Sequence, residues 1–202
     1  VALTTNGNGA ATIVNDAGLN FAASTVTGAL SATATTGDIT DSGNLTITGA
    51  ATFITGVDES NIVLDSSGNA FSSSVEMRAD AGGEDFGNIT FVDSAGIDFA
   101  TSAGSNGDLY INSSTDGTVG GNLSVTATTG NITDTVAVVT TGSSTSSFTT
   151  SATNGTITLN TPASLAGAVT LSTTGASGNA TIDNGTTALN IAASSIGGNL
   201  TV

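Results

Sequence analysis

Leu123-Ser124-Val125-Thr126-Ala127-Thr128-Thr129-Gly130-Asn131-Ile132-Thr133-Asp134 repeats an earlier stretch of the chain. That stretch is Leu30-Ser31-Ala32-Thr33-Ala34-Thr35-Thr36-Gly37-Asp38-Ile39-Thr40-Asp41, and the offset is constant (123 − 30 = 93). Apolar positions match apolar ones and Gly37 matches Gly130. Each copy alternates an apolar residue with Thr or Ser, breaks at Thr-Thr-Gly-Asp or Thr-Thr-Gly-Asn, and alternates again. A period of two puts the apolar residues on one face of a strand and the hydroxyls on the other. Gly, Asn and Asp supply the turn between.

The same short unit recurs along the chain. Leu45-Thr46-Ile47, Ile89-Thr90-Phe91, Ile157-Thr158-Leu159, Val169-Thr170-Leu171 and Leu200-Thr201-Val202 are examples. About 20 such strandlets, roughly 10 residues apart, are bounded by turn chemistry. A second repeat pairs Leu19-Asn20-Phe21-Ala22-Ala23-Ser24 with Leu189-Asn190-Ile191-Ala192-Ala193-Ser194 at an offset of 170 (189 − 19). Stacked internal repeats of this kind are the mark of a solenoid. No window reads as an amphipathic helix, because strong helix formers are scarce.

The fold expected is therefore all-β, a parallel β-helix or β-solenoid. Val, Ile and Leu form its internal columns, Thr and Ser its external ones. At roughly 20–25 residues per coil it makes about eight to ten coils, on the order of 40–50 Å of rod. Residues 1–202 read as one continuous solenoid segment, a fragment or repeat unit of a longer chain. Residues 56–88, with most of the clustered acids, read as coils with longer loops. The alternative is tandem β-sandwich domains, for which Asn6-Gly7, Asn154-Gly155 and Asn184-Gly185 offer hairpin turns. Absent Trp, only seven Phe and very short strandlets argue against it.

Charge narrows the function. There is one cation, Arg78, against 16 Asp and Glu, for a net charge of −15. Phosphate backbones and anionic membrane surfaces need cations, so neither nucleic acid nor membrane is an expected partner. No apolar run is long enough for a transmembrane helix. Without Cys there are no disulfides and no thiolate sites. A chain this acidic and this poor in Lys suits a secreted bacterial surface protein, so the expected location is extracellular, at the cell surface.

The repeats Gly43-Asn44-Leu45-Thr46-Ile47-Thr48-Gly49, Thr36-Gly37-Asp38-Ile39-Thr40-Asp41 and Gly121-Asn122-Leu123-Ser124-Val125-Thr126 resemble those of the filamentous-haemagglutinin type. That family comprises large secreted adhesins with right-handed β-helical shafts. The resemblance implies a structural fibre or adhesin shaft, with no catalytic residues. Self-association along the fibre axis is expected separately, because open terminal coils expose unpaired strand edges that polymerise unless capped. Surface glycans or host and neighbour-cell receptors are the further partners to consider, for a lateral face or the loops around residues 56–88.

Chemistry has few carriers here. No His is present, so Ser-His and Cys-His nucleophilic systems are absent. Paired carboxylates could hydrolyse a polysaccharide, and Asp38 with Asp41, or Glu84 with Asp85, are the pairs to consider. Their places in Gly-Asp-Ile and similar turns give the plainer reading, and no enzyme activity is expected. Only an oxygen-seeking ion such as calcium could bind, and Asp80, Glu84 and Asp85 form the best cluster, followed by Asp58 and Glu59. Otherwise no cofactor is expected. Thr-x-Thr at Thr33/Thr35, Thr46/Thr48, Thr126/Thr128 and Thr156/Thr158 could stack into a hydroxyl array for a flat surface such as ice. Asn-x-Ser/Thr at Asn44, Asn88, Asn112, Asn122, Asn131, Asn154, Asn179, Asn184 and Asn199 arises from the turn-Asn, apolar, Thr pattern and also spells glycan acceptors.

Overall fold

The structure is a computed structural model and describes residues 1–79, 87–100, 108–111 and 118–202. Among these residues it is all strand and turn, with no helix. Strands are numbered β1 to β24 along the chain, and every named pairing is parallel. One sheet has eight strands in chain order. They are β2 (Leu19–Phe21), β5 (Ile39–Asp41), β8 (Ile62–Leu64), β11 (Ile89–Asp93), β15 (Leu123–Ala127), β18 (Ser146–Thr153), β21 (Ala168–Thr174) and β23 (Asn190–Ile191).

A second sheet has ten strands. It runs β1 (Ala11–Asn15), β4 (Leu30–Ala34), β7 (Ala51–Thr55), β10 (Val75–Ala79), β13 (Asp108–Ile111), β12 (Ile97–Phe99), β16 (Ile132–Asp134), β19 (Ile157–Leu159), β22 (Ala180–Ile182) and β24 (Leu200–Thr201). Two three-stranded sheets complete the wall. One is β3 (Ser24–Val26), β6 (Leu45–Ile47) and β9 (Ala70–Phe71). The other is β14 (Thr118–Val119), β17 (Val139–Thr140) and β20 (Ser164–Leu165).

This is a β-solenoid of about seven turns, as the eight strands of the first sheet require. The expected eight to ten coils are too many, and the register shows why. Leu19 lies under Ile39 and Ile39 under Ile62, so the numbering advances by 20 and then by 23 (39 − 19 and 62 − 39). From Ile62 to Ile89 and from Ile89 to Leu123 it advances by 27 and by 34 (89 − 62 and 123 − 89). Two long turns therefore consume the sequence that further coils would have used. The Asn-Gly pairs that favoured hairpins turn corners of the coil instead. Asn154 and Gly185 take left-handed backbone there, with φ of 63° and 54°.

Alternation decides which side chains are inside. In β4, β7, β10, β11 and β15 every second residue is buried. Like residues then stack turn on turn, for instance the file Leu19, Ile39, Ile62, Ile89 and Leu123. Aromatic rings fill the first half of the interior. Phe53 of β7 meets Phe21 of β2 and Phe71 of β9, both edge-on with centroids 6.2 Å apart. Corners pack more tightly still. A Cβ on Gly49 would lie 2.5 Å from the backbone of Gly28, so only glycine fits where these turns cross.

Ser146 breaks the aliphatic file. It sits between Leu123 and Val169, is 2% exposed, and its hydroxyl has no hydrogen-bond partner. A buried, unpaired hydroxyl costs roughly 1–3 kcal/mol. Ser146→Val removes the hydroxyl and matches the neighbour above, so it is expected to stabilise the fold by about 1–2 kcal/mol. Denaturant unfolding followed by circular dichroism reads the shift. A destabilised variant would show that the interior has no room for the added methyl groups.

The coil changes phase part-way. Up to β10, the five-residue strands β1, β4, β7 and β10 lie on the ten-stranded sheet. The three-residue strands β2, β5 and β8 then lie on the eight-stranded one. From β11 onward the long strands β11, β15, β18 and β21 occupy the eight-stranded sheet. The three-residue strands β12, β16, β19 and β22 now fall on the other. The two stretches of the 93-residue repeat therefore have the same local shape but lie on exchanged sheets. In the ten-stranded sheet β13 comes between β10 and β12, out of chain order.

Candidate functional site

The polar residues of the corners are committed to one another. Four successive turns offer an Asn or Asp just before the first inward residue, and its side chain accepts from the turn above. Asp38 Oδ1 accepts the Asn61 amide at 2.7 Å. Asn61 Oδ1 accepts that of Asn88 at 2.8 Å. Asn88 Oδ1 accepts that of Asn122, and Asn122 Oδ1 that of Thr145, both at 2.8 Å. A ladder of five turns results, each rung satisfying a backbone N–H that the corner leaves without a strand partner. On the other sheet, Asn131 accepts from Thr156 at 2.9 Å and Asn179 from Asn199 at 2.8 Å.

A third set stands at the opposite ends of the short strands. Asp41 Oδ1 accepts the amides of Asp65 and Ser66 at 3.0 and 3.3 Å. Asp134 Oδ1 accepts those of Asn160 and Thr161 at 2.9 and 3.3 Å. These are the matched aspartates of the 93-residue repeat, so the repeat preserves the hydrogen-bonding task while the sheet changes. Thr36 and Thr129 match in the same way, each donating to a carbonyl one turn below, that of Asp16 and of Ser94. Asn69, fully buried, accepts from Leu45 N at 2.8 Å and donates to Asp41 Oδ2 at 2.6 Å.

Two families of matched corners on exchanged sheets, stacked in parallel, decide the class. The chain is a β-helical repeat protein. A family model described as Repeats of unknown function (DUF5649) matches residues 7–78. No curated protein and no solved structure matches the chain.

The candidates from sequence fall as follows. Asp38 and Asp41 stand at the two ends of β5, each accepting backbone amides from the next turn. Asp80, Glu84 and Asp85 lie outside the described residues, as does Asn112. Among the described residues no group of three or more acidic side chains could hold a metal ion. No helix of the described residues is long and apolar enough to cross a membrane. The Thr-x-Thr pairs do not stack on one another. Thr33 lies between Val14 and Ile54, and Thr126 between Val92 and Thr149.

A different file does form. Thr133, Thr158, Thr181 and Thr201 stack in consecutive turns on the outer face of the ten-stranded sheet. Sequence reading missed it because the spacing between copies shrinks from 25 to 23 to 20 (158 − 133, 181 − 158, 201 − 181). The available signal was an apolar–Thr pair directly after Asn or Thr, and it needed the coil register to become a column. Asn88, Asn122, Asn131 and Asn179 are glycan-acceptor motifs whose side chains serve as ladder rungs.

Two carboxylates are perturbed. Burial pushes the Asp93 carboxyl above its ordinary range, against the pull of the Phe71, Ala95 and Ser94 amides. Burial also raises Asp134, opposed by the Asn160 and Thr161 amides and reinforced by the negative charge of Asp98. A raised acid pKa means that the ionised form costs stability in the folded state. The cost is full above the raised value and disappears as pH falls towards the ordinary value near 3.8. Mild acidification is thus expected to relieve it. Asp93→Asn should flatten this part of the stability–pH profile, whatever its stability at neutral pH. Urea midpoints from pH 7 to pH 4 measure it, and parallel profiles for the two proteins would clear Asp93.

Proposed function

We propose that the chain is a length of extracellular shaft, a structural fibre or adhesin stalk at a bacterial cell surface. The observation that carries this reading is the unbroken parallel stack from β2 to β23, whose polar corner groups are spent on neighbouring turns. Such a coil extends by adding turns, since each contacts mainly the next. About seven steps of ~4.8 Å give this segment roughly 34 Å of length. The charge of −15 with a single cation keeps lateral surfaces mutually repelling, which favours separate rods over bundles. The resemblance of the repeats to adhesin shafts points the same way, and no catalytic role is assigned.

Immuno-electron microscopy of the native protein, with antibody raised to this segment, tests the reading. Label along thin stalks or fibres outside the cell is expected. Label confined to the cell interior, or to compact particles, overturns it. The second reading is a module that binds carbohydrate or a surface receptor through a lateral face. The file of half-exposed threonines Thr133, Thr158 and Thr181 favours it, with the Thr133 hydroxyl itself bonded to Asp98 Oδ1 at 2.8 Å. Glycan-array binding lost in Thr158→Val with Thr181→Val would support it, and no binding above background would remove it.

A further inference from the structure

The stretches at 1–32 and 169–202 make the same turn-to-turn bonds, well beyond the part where their sequences match. Ala22 N donates to Val1 O at 2.7 Å, and Ala192 N to Val169 O at 2.8 Å. Thr25 N donates to Leu3 O and Ser195 N to Leu171 O, both at 2.9 Å. Leu3 N donates to Ser24 Oγ and Leu171 N to Ser194 Oγ, both at 3.0 Å. Within single corners the match continues: Asn15 Nδ2 donates to Gly18 O at 2.9 Å, and Asn184 Nδ2 to Thr187 O at 3.1 Å. Gly7 and Gly175 share left-handed backbone, with φ of 64° and 81°. The two isolated bridges, Thr4 to Thr25 and Ser172 to Ser195, match as well.

The offset drifts only from 168 (169 − 1) to 170 (192 − 22). Unlike the 93-residue repeat, this one is in phase with the sheets. β2 and β23 share the eight-stranded sheet, and β4 and β24 share the ten-stranded one. The turn at 189–202 is therefore a structural copy of the turn at 19–32.

The two copies differ in what covers them. Over the earlier one lies the turn at 39–55. Leu19 N donates to Asp38 O at 2.8 Å, and Ser24 N to Asn44 O and Leu30 N to Ala50 O at 3.0 Å. Leu19, Phe21, Val26 and Leu30 are thereby buried to 4% exposure or less. Their counterparts Leu189, Ile191 and Ile196 are only partly buried, and Leu200 is 44% exposed. β23 and β24 are the last strands of their sheets.

We propose that the turn at 189–202 is covered as its structural copy at 19–32 is, by a further copy of the same sequence joined at its residue 33, so that the shaft is an array with a period of about 170 in the numbering. The proposal rests on the shaft reading above. It fixes the register: Ile39 of the added copy lies over Leu189 and its Ala51 over Leu200, as Ile39 lies over Leu19 and Ala51 over Leu30.

The experiment appends residues 33–78 after Val202 and compares the fusion with one carrying the same residues scrambled. Amide exchange of Leu189, Ser194 and Leu200, the counterparts of Leu19, Ser24 and Leu30, is expected to slow at least tenfold in the first fusion only. Protection at Leu64 in both fusions shows that the parent chain is folded. Equal exchange at the three amides in the two fusions overturns the proposal. That result leaves the shaft reading standing, because the label seen by microscopy is the same whichever sequence is joined to Val202.

Discussion

Phe53→Ala is expected to cost the protein ~3–5 kcal/mol, more than any other single truncation proposed for it. The ring is fully buried and stacks between Ala32 below and Met77 above. Its two ring contacts, to Phe21 and Phe71, join strands of three different sheets. Removing it takes material from the middle of a narrow interior, where backbone hydrogen bonds prevent the walls from closing on the void. The loss therefore includes a cavity term besides the transfer of the ring. Chemical unfolding followed by circular dichroism measures it. Val14→Ala, at a side chain 65% exposed, serves as the comparison and should stay within about 0.5 kcal/mol. Near-equal losses for the two variants would mean that the interior is not packed as described.

Asn69→Leu is the second large effect, expected at roughly 2–4 kcal/mol, and it arises from polar groups rather than packing. Asn69 is fully buried. Its carbonyl satisfies Leu45 N and its amide satisfies Asp41 Oδ2. Leucine has similar bulk but meets neither group, so a backbone N–H loses its acceptor and a carboxylate loses a donor. Asn69→Asp separates the two contributions. It keeps an acceptor for Leu45 but sets a second carboxylate against Asp41, so its penalty should shrink as pH is lowered. A leucine variant as stable as the parent would show that water replaces both bonds.

Much of this molecule is legible in residue order. Alternation puts Leu123, Val125 and Ala127 inside and Ser124 and Thr126 outside, and the burial of β15 agrees. Turn chemistry puts Gly37 at a corner, where it takes φ of 106°. The turn reading of Asp38 and Asp41 also matches their bonds. Other features stay hidden. Alternation with Phe148 puts Ser146 on the inward face, but that its hydroxyl finds no partner there shows only in the packed coil. Asn69 looks like any turn asparagine. Thr133, Thr158, Thr181 and Thr201 form a column only once the lengths of three separate turns are known.

Order along the chain determined the parallel coil itself. Strand alternation and corner chemistry involve residues a few positions apart, and each copy of the repeat carries both complete. Tertiary structure decided which sheet each copy joins. The stretches at 30–41 and 123–134 bond alike at their corners yet lie on exchanged sheets, because a strand's place depends on the strand beneath it. Beneath Ile39 that neighbour is Leu19, and beneath Leu123 it is Ile89. The separations, 20 and 34 in the numbering (39 − 19 and 123 − 89), are set by the lengths of the intervening turns. No local pattern records them, so the phase of the coil and the burial of Asn69 belong to the stack rather than to the repeat.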